Sequence, residues 1–214
     1  WTFSTLGWPE KTKDLEKFHP TSVLETGYDI LFFWIARMIL MSGFLLGDIP
    51  FKTVYLHGLI RDEQGRKLSK SLGNAIDPLE AIEKYGADAL RMALIIGTGP
   101  GNDSKLSNDK IKAYKHFSNK IWNITRFVLS NTENISKEKQ LELLEIDKKY
   151  FSEWESLLTE VTDDMNNYRL YLAGEKLYHY IWHTFADIII EESKNRIFNG
   201  KDLEKKSAQW TLFH

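Results

Sequence analysis

The 214-residue sequence has no cysteine. That excludes disulfides and thiolate zinc sites, and it fits a reducing compartment such as the cytoplasm. Net charge is nearly absent too: 28 Lys and Arg stand against 30 Asp and Glu, leaving a formal charge of -2. No global field draws the chain to nucleic acid, so any such binding must come from a local patch. The opening Trp1-Thr2-Phe3-Ser4-Thr5-Leu6-Gly7-Trp8-Pro9 carries no basic n-region and no initiator Met. It is not a signal peptide, and the expectation is a chain that begins partway through something larger. One run, Ile30 to Leu46, is almost wholly apolar, but Arg37 interrupts it, Gly43 breaks it, and Asp48 and Pro50 close it. A membrane span needs roughly 20 apolar residues and a central Arg costs about 2.5–3.5 kcal/mol. The run reads as a helix buried on most sides, and no membrane partner is expected.

The densest chemistry lies in Gly65-Arg66-Lys67-Leu68-Ser69-Lys70-Ser71-Leu72-Gly73-Asn74, three cations and two hydroxyls between two glycines. Glycines let backbone fold tightly and approach a ligand. Lys67 and Lys70 offer compact point charges that suit phosphate oxygens. Ser69 and Ser71, with nearby backbone N–H groups, can complete an anion cradle. A solvated basic turn has the same composition, so the flanks matter.

Upstream, residues 1–20 read as loop with short turns, and Phe3, Leu6 and Trp8 as packing residues. Thr21 to Thr26 reads as a short buried strand ending at Gly27-Tyr28-Asp29, where the apolar helix begins. Strand, glycine turn, acidic cap and helix form half of a nucleotide-binding βα unit, whose ligands sit at the carboxyl ends of strands. Asp29 is an N-cap by pattern, and as a site residue it would accept from a ribose hydroxyl or an ammonium group. Thr53 to Leu56 is a second strand closed by His57-Gly58. A glycine there lets a flat ligand approach the backbone; His57 is either a ligand contact or a hydrogen-bonded strand end. Asp77 caps a helix from Pro78 to Tyr85, and a second runs from Ala87 to Ile96. Gly97 to Asp103 is the clearest linker.

Beyond Ser107 the period is helical. Ile111, Tyr114, Phe117, Ile121, Ile124 and Val128 form one apolar stripe; Tyr150, Trp154, Leu157, Leu158, Val161 and Met165 a second; Leu170, Ala173, Leu177, Ile181, Phe185 and Ile188 a third. Three long amphipathic helices make most of a bundle. Asn131 to Glu145 reads as loop with a short helix, and 200–214 as an incomplete end. On the first helix Lys105, Lys110, Lys112, Lys115, Lys120 and Arg126 meet only Asp109 in opposition. A phosphate-contacting face and a solvated face both look like this. His179, His183 and Asp187 have metal-ligand spacing, but Tyr178, Tyr180, Ile181 and Trp182 make this a packing helix, and no metal site is expected.

Lys67-Leu68-Ser69-Lys70-Ser71 resembles the Lys-Met-Ser-Lys-Ser signature of class I aminoacyl-tRNA synthetases, with Leu for Met at 68, a swap that keeps volume and apolarity. From Thr21-Ser22-Val23-Leu24 to Arg126-Phe127 the chain is similar to the valyl-tRNA synthetases. Gly27-Tyr28-Asp29 with Trp34, Gly86-Ala87-Asp88-Ala89-Leu90-Arg91 and Asn119-Lys120-Ile121-Trp122-Asn123 also carry the resemblance.

The resemblance implies an α/β part followed by an all-α part: the C-terminal portion of a Rossmann-like catalytic domain over 1–103 and a truncated helical anticodon-binding domain over 104–214. It implies valine–tRNA ligation through valyl-adenylate, with L-valine, ATP with Mg2+ and tRNA for valine as partners. Lys67 and Lys70 would be catalytic; His57, Gly58, Leu68, Ser69 and Ser71 would join them in binding ATP. Asp29 would position the adenylate, and Trp34, otherwise a core residue, would line the valine pocket. Lys112, Lys115, Lys120, Trp122, Asn123 and Arg126 would contact tRNA. No His-x-Gly-His occurs in the sequence and no editing domain is expected in it, so an inactive fragment lacking an N-terminal part of the same enzyme is the expectation. An isoleucine or leucine enzyme, or a non-catalytic tRNA-binding module, are the alternatives.

Overall fold

The computed structural model describes residues 3–133, 135 and 142–214, with Lys70 described by its backbone alone. The chain packs into two compact units: Trp1–Lys67 with Thr98–Lys105, and Leu68–Gly97 with Leu106–His214.

In the first unit a turn at Ser4–Leu6 and a short helix, α1 (Lys13–Phe18), precede β1 (Thr21–Gly27). Thr12 caps α1, its Oγ1 accepting from Leu15 N at 3.1 Å, a helix not foreseen in this stretch. Phe3 is buried and meets Trp8 edge-on at 5.5 Å. β1 pairs in parallel with β2 (Phe51–His57), from Thr21 opposite Phe51 to Gly27 opposite His57. The strand expected to be buried is half exposed, with only Thr26 and Gly27 buried. Between the strands lie a turn at Tyr28–Ile30, a π-helical stretch at Leu31–Ile35 and α2 (Ala36–Leu46). Gly27, in extended backbone, takes the N-cap place expected for Asp29, which sits in the first turn instead.

The expectation that this helix is buried on most sides is wrong for the described residues. Ile35 and Ser42 are its buried members, while Phe32 is 79% and Phe44 84% exposed. Tyr28–Leu46 is, by length and composition, long and apolar enough to cross a membrane. Its one buried polar group, the Ser42 hydroxyl, donates to Asp48 O at 2.9 Å. Two short strands, β3 (Ile60–Arg61) and β4 (Ser104–Lys105), pair in parallel.

The second unit is helical. α3 (Pro78–Tyr85) starts as anticipated, with Asp77 accepting from Leu79 N at 2.8 Å and Pro78 at the first position. α4 (Ala87–Ile95) buries Ala89, Leu90 and Ala93. α5 (Asn108–Thr132) begins at a Ser107 cap and buries Ile111 and Phe117 on the anticipated stripe. The loop and short helix anticipated between Asn131 and Glu145 fall largely outside the described residues. α6 (Glu145–Asn166) buries Tyr150 and Val161, but Leu158 and Met165 of its stripe stand about half exposed.

α7 (Leu170–His179) continues through a π-helical stretch, Tyr180–Ile190, into α8 (Glu191–Asn199), so the third helix runs further than its stripe. The segment read as an incomplete end is a fourth helix, α9 (Asp202–Phe213), burying Ser207, Ala208, Thr211 and Leu212. Three of those four are small or hydroxylated, so the apolar period is faint. Tyr150, Ile189, Ile190, Ile197, Ala208 and Leu212 form the core around it.

A buried ion pair ties this core. The fully buried Asp147 accepts from Arg196 Nη1 at 2.6 Å, Arg196 Nη2 at 2.9 Å and Ser207 Oγ at 2.5 Å. Removing one partner strands a buried charge, which costs about 3–5 kcal/mol, while an apolar replacement of the pair is often neutral. Asp147→Ala is therefore expected to lower unfolding stability by about that amount, and Asp147→Leu with Arg196→Met to recover most of it in urea melts.

Asp164, 4% exposed, is held well below the usual carboxylate range by hydrogen bonds from Lys176 and Arg169, with ion pairs at 2.9 and 2.7 Å. A lowered carboxylate stabilises the fold above its ordinary value of 3.8 and loses that contribution as pH falls through the folded value. Thermal stability is expected to drop as pH is taken below about 4, and Asp164→Asn to be less stable at neutral pH with a shallower acid drop. An acid slope unchanged by Asp164→Asn would remove this carboxylate from the account.

Candidate functional site

The last rung of the β1–β2 ladder sets Gly27 beside His57. A Cβ on Gly27 would lie 2.7 Å from Asp29 Oδ1, so the glycine leaves room for that carboxylate, which a larger residue would push aside. Asp29 Oδ2 lies 3.5 Å from Lys67 Nζ. His57 Nδ1 is 2.8 Å from Gly58 O. A carbonyl only accepts, so Nδ1 carries the proton, and Nε2 faces Glu25 Oε1 at 3.4 Å. The carboxyl ends of the two strands thus gather Asp29, His57 and Lys67, with Glu25 as an unforeseen fourth member. Its signal was available in the register: Glu25 lies two residues before Gly27 on the same face.

Gly58 packs against the chain's own backbone. A Cβ there would overlap the backbone of Asn102 and Asp103, so the residue is small to admit the chain's own 98–103 segment. That segment, read as a linker, is tied down: Gly101 N donates to Leu56 O at 2.9 Å. Asp103 accepts from Leu59 N at 2.8 Å and from Arg61 Nε at 2.5 Å, and those bonds hold its carboxyl below the usual range. Arg61 bridges to Lys67 across a turn in which Asp62 accepts from Arg66 N and Nε at 2.8 and 2.7 Å. Gly65 takes φ +81° at the turn's end.

Leu68–Gly97 belongs to the second unit. Ser69 N donates to Asn74 Oδ1 at 2.9 Å, and the Ser69 and Ser71 hydroxyls are 2.7 Å apart. Lys70–Leu72 forms one 3-10 turn, and Gly73 takes φ +63°. Leu68 is half buried. The Lys70 side chain lies outside the described residues. Trp34, in the π-helical stretch, is 49% exposed and so is no core residue here.

On α5, Lys112, Trp122, Asn123 and Arg126 are exposed. Lys115 Nζ donates to Lys84 O at 2.8 Å. Lys120 does not stand unopposed, as its sequence neighbours suggested. Its Nζ lies 2.8 Å from Asp187 Oδ1, a carboxyl it holds below the usual range, and 4.4 Å over the Trp182 ring. Asp187 also lies 3.7 Å from His183 Nδ1 within its own helical stretch, while its pair with Lys120 joins that stretch to α5.

A parallel strand pair with acidic and basic groups at its carboxyl ends, followed by a helical bundle, defines an α/β part joined to an all-α part. The chain belongs to the class I tRNA synthetases (I, L, M and V): residues 1–107 match that family, and residues 147–214 match the anticodon-binding domain of tRNA ligase. Among curated relatives, the valine–tRNA ligase of Clostridium acetobutylicum is 47% identical over 217 residues, covering 100% of this chain and 24% of that protein. That of Thermotoga maritima is 50% identical over 213 residues, covering 99% of this chain and 24% of that protein. The chain thus spans about a quarter of the length of these relatives.

Among solved structures, Mycobacterium tuberculosis methionyl-tRNA synthetase bound by methionyl-adenylate superposes with a TM-score of 0.77 at 20% identity, over 97% of this chain and 42% of that one. An Agrobacterium radiobacter LeuRS–tRNA–LeuAMS ternary complex gives 0.74 at 18%, over 98% and 28%. At such identities the likeness concerns the fold.

Overpacking a close backbone contact costs about 1–3 kcal/mol. Gly58→Ala is therefore expected to speed hydrogen exchange at the Gly101 and Ser104 amides by about 10- to 100-fold. Gly43→Ala, where a Cβ meets nothing within 4 Å, is expected to leave both amides unchanged.

Proposed function

We propose that this chain supplies part of the machinery that ligates valine to its tRNA in two ATP-dependent steps. The observation that carries the reading is the Asp29–Lys67 pair, 3.5 Å apart at the carboxyl ends of the strands, in a chain 47–50% identical to the two valine–tRNA ligases. Residues 1–103 act as the C-terminal part of the catalytic domain and 104–214 as anticodon-binding helices. The remaining catalytic groups come from another part of the same enzyme, which works in the cytoplasm without a membrane.

In the first step a valine carboxylate oxygen attacks the α-phosphorus of ATP. The bond to the bridging oxygen breaks, giving valyl-adenylate and pyrophosphate. In the second, a ribose hydroxyl at the tRNA 3′ end attacks the valyl carbonyl and AMP leaves. The protein's task is positioning and charge stabilisation as the α-phosphate becomes five-coordinate. Lys67 exchanges its Asp29 partner for phosphate oxygens, and Asp29 turns to the valine ammonium or a ribose hydroxyl. Lys70, Leu68, Ser69 and Ser71 complete the phosphate contacts, with Mg2+ arriving on ATP. His57 and Gly58 face adenine, and Trp34 lies against the valine side chain. Lys112, Lys115, Lys120, Trp122, Asn123 and Arg126 face tRNA.

Completing the chain with the remaining sequence of the Thermotoga maritima enzyme allows a test by ATP–pyrophosphate exchange. Valine is expected to drive exchange, and isoleucine and leucine to lag far behind. Lys67→Ala should lower kcat/KM by about 10²- to 10³-fold, the usual loss for one charge-stabilising group. The 214 residues alone should be silent. Preference for isoleucine or leucine, or full exchange by Lys67→Ala, would reject the assignment.

A further inference from the structure

Asp103 has no part in the ligation reading above, yet its carboxylate is held at both oxygens. Oδ1 accepts from Leu59 N at 2.8 Å and Oδ2 from Arg61 Nε at 2.5 Å. Its backbone is held as well. Ser104 N donates to Leu59 O at 3.0 Å, Ile60 pairs with Ser104 in the parallel ladder, and Gly58 has no Cβ where Asp103 N passes. The Leu59 amide, the Arg61 guanidinium and the Tyr28 hydroxyl keep the carboxyl below the usual range, so it is a charged anchor at neutral pH.

Arg61 carries that anchor to the opposite arm of the turn. Its Nη1 donates to Gly65 O at 3.1 Å, and its backbone is bridged to Lys67. One planar guanidinium thus joins Asp103 to the chain two residues before Lys67, and such a fork fits one arrangement where an ammonium would swivel. The side chains of Arg61 and Asp103 are 33% and 23% exposed, so this link is better shielded from water than the Lys67–Asp29 pair. The Lys67 stem is flexible. What the fold fixes is where that stem begins.

We propose that Asp103 is a positioning residue for adenylate formation: through Arg61 it fixes the backbone from which Lys67 reaches the phosphate oxygens. The inference rests on the ligation reading and assigns a residue that acts without touching ATP or valine. Displacing a reacting-site group by about 1 Å costs on the order of 10²-fold in rate. A freed Arg61 is therefore expected to cost turnover rather than affinity.

The test is steady-state valine-dependent ATP–pyrophosphate exchange by the completed chain, with Asp103→Asn, Arg61→Lys and, as a control, Asp202→Asn on α9, each also made together with Lys67→Ala. Asp103→Asn and Arg61→Lys are expected to lower kcat by about 10- to 100-fold. KM for ATP and for valine should stay within about 3-fold of the parent, the pattern of a contact made only in the transition state. In the Lys67→Ala background either change should cost less than about 2-fold further, because the group it positions is gone. Asp202→Asn should leave kcat unchanged in both backgrounds. Arg61→Lys leaves Asp103 its bond from Leu59 N, and it carries the test by itself where circular-dichroism melts show that Asp103→Asn does not fold. Parental kcat in either folded variant overturns the inference while sparing the ligation reading. So does an equal loss with and without Lys67, the behaviour of general structural damage, and so does a loss confined to KM. A completed parent with no valine-dependent exchange overturns the ligation reading and this inference with it.

Discussion

The rung that sets Gly27 beside His57 governs the chemistry of the first unit. A parallel ladder fixes its strands to the residue, and a slip of one would turn every side chain to the other face. With this register Glu25 and His57 share a face, and the chain leaves β1 through a glycine whose missing Cβ makes room for the Asp29 carboxylate. Lys67 meets that carboxylate because the 61–67 turn is closed from within by Asp62, and because Arg61 is anchored on Asp103. The site is therefore held by constraints at Gly27, Asp62 and Asp103.

The second unit is held differently. Its core is apolar, but the helices are indexed to one another by ions. Asp147 joins α6 to α8 and α9, and Asp164 joins α6 to Arg169 and to Lys176 on α7. Apolar stripes alone permit sliding, whereas a buried carboxylate with three donors fits one arrangement. The π-helical stretch at Tyr180–Ile190 shifts the phase of the rod. Phe117 thereby stacks on Trp182 at 5.8 Å while also meeting Tyr178 at 4.5 Å.

Local signals carried most of the elements. Asp77-Pro78, Ser107 and the α5 stripe predicted helix starts and faces that the structure reproduces, because caps and periodicity act within one or two turns. What failed depended on distant residues. The packing of Gly58 on the chain's own backbone was not legible, because nothing in its neighbourhood announces Asn102, 44 positions on. For Gly65 and Gly73 the sequence allowed both a tight turn and a close approach. In the structure each has open space where a Cβ would be and a positive φ, so the turn itself demands glycine. The Ile30–Leu46 helix looked buried because apolarity records what a surface requires, and its cover is not among the described residues. Lys120 looked free because Asp187 is 67 residues away.

The pairing of cations also decides which of them can work. Lys67 and Asp29 meet at 3.5 Å with 59% and 36% of their side chains exposed. A pair so wet is worth about 0–1 kcal/mol, so either side chain leaves the other at little cost. Lys120 is in another position. It is 26% exposed, bonded to Asp187 at 2.8 Å, and laid over the Trp182 ring. Releasing it to a phosphate would give up both contacts and part of the packing of its stem. Lys120 thus also serves as a strut that ties α5 to the Tyr180–Ile190 stretch.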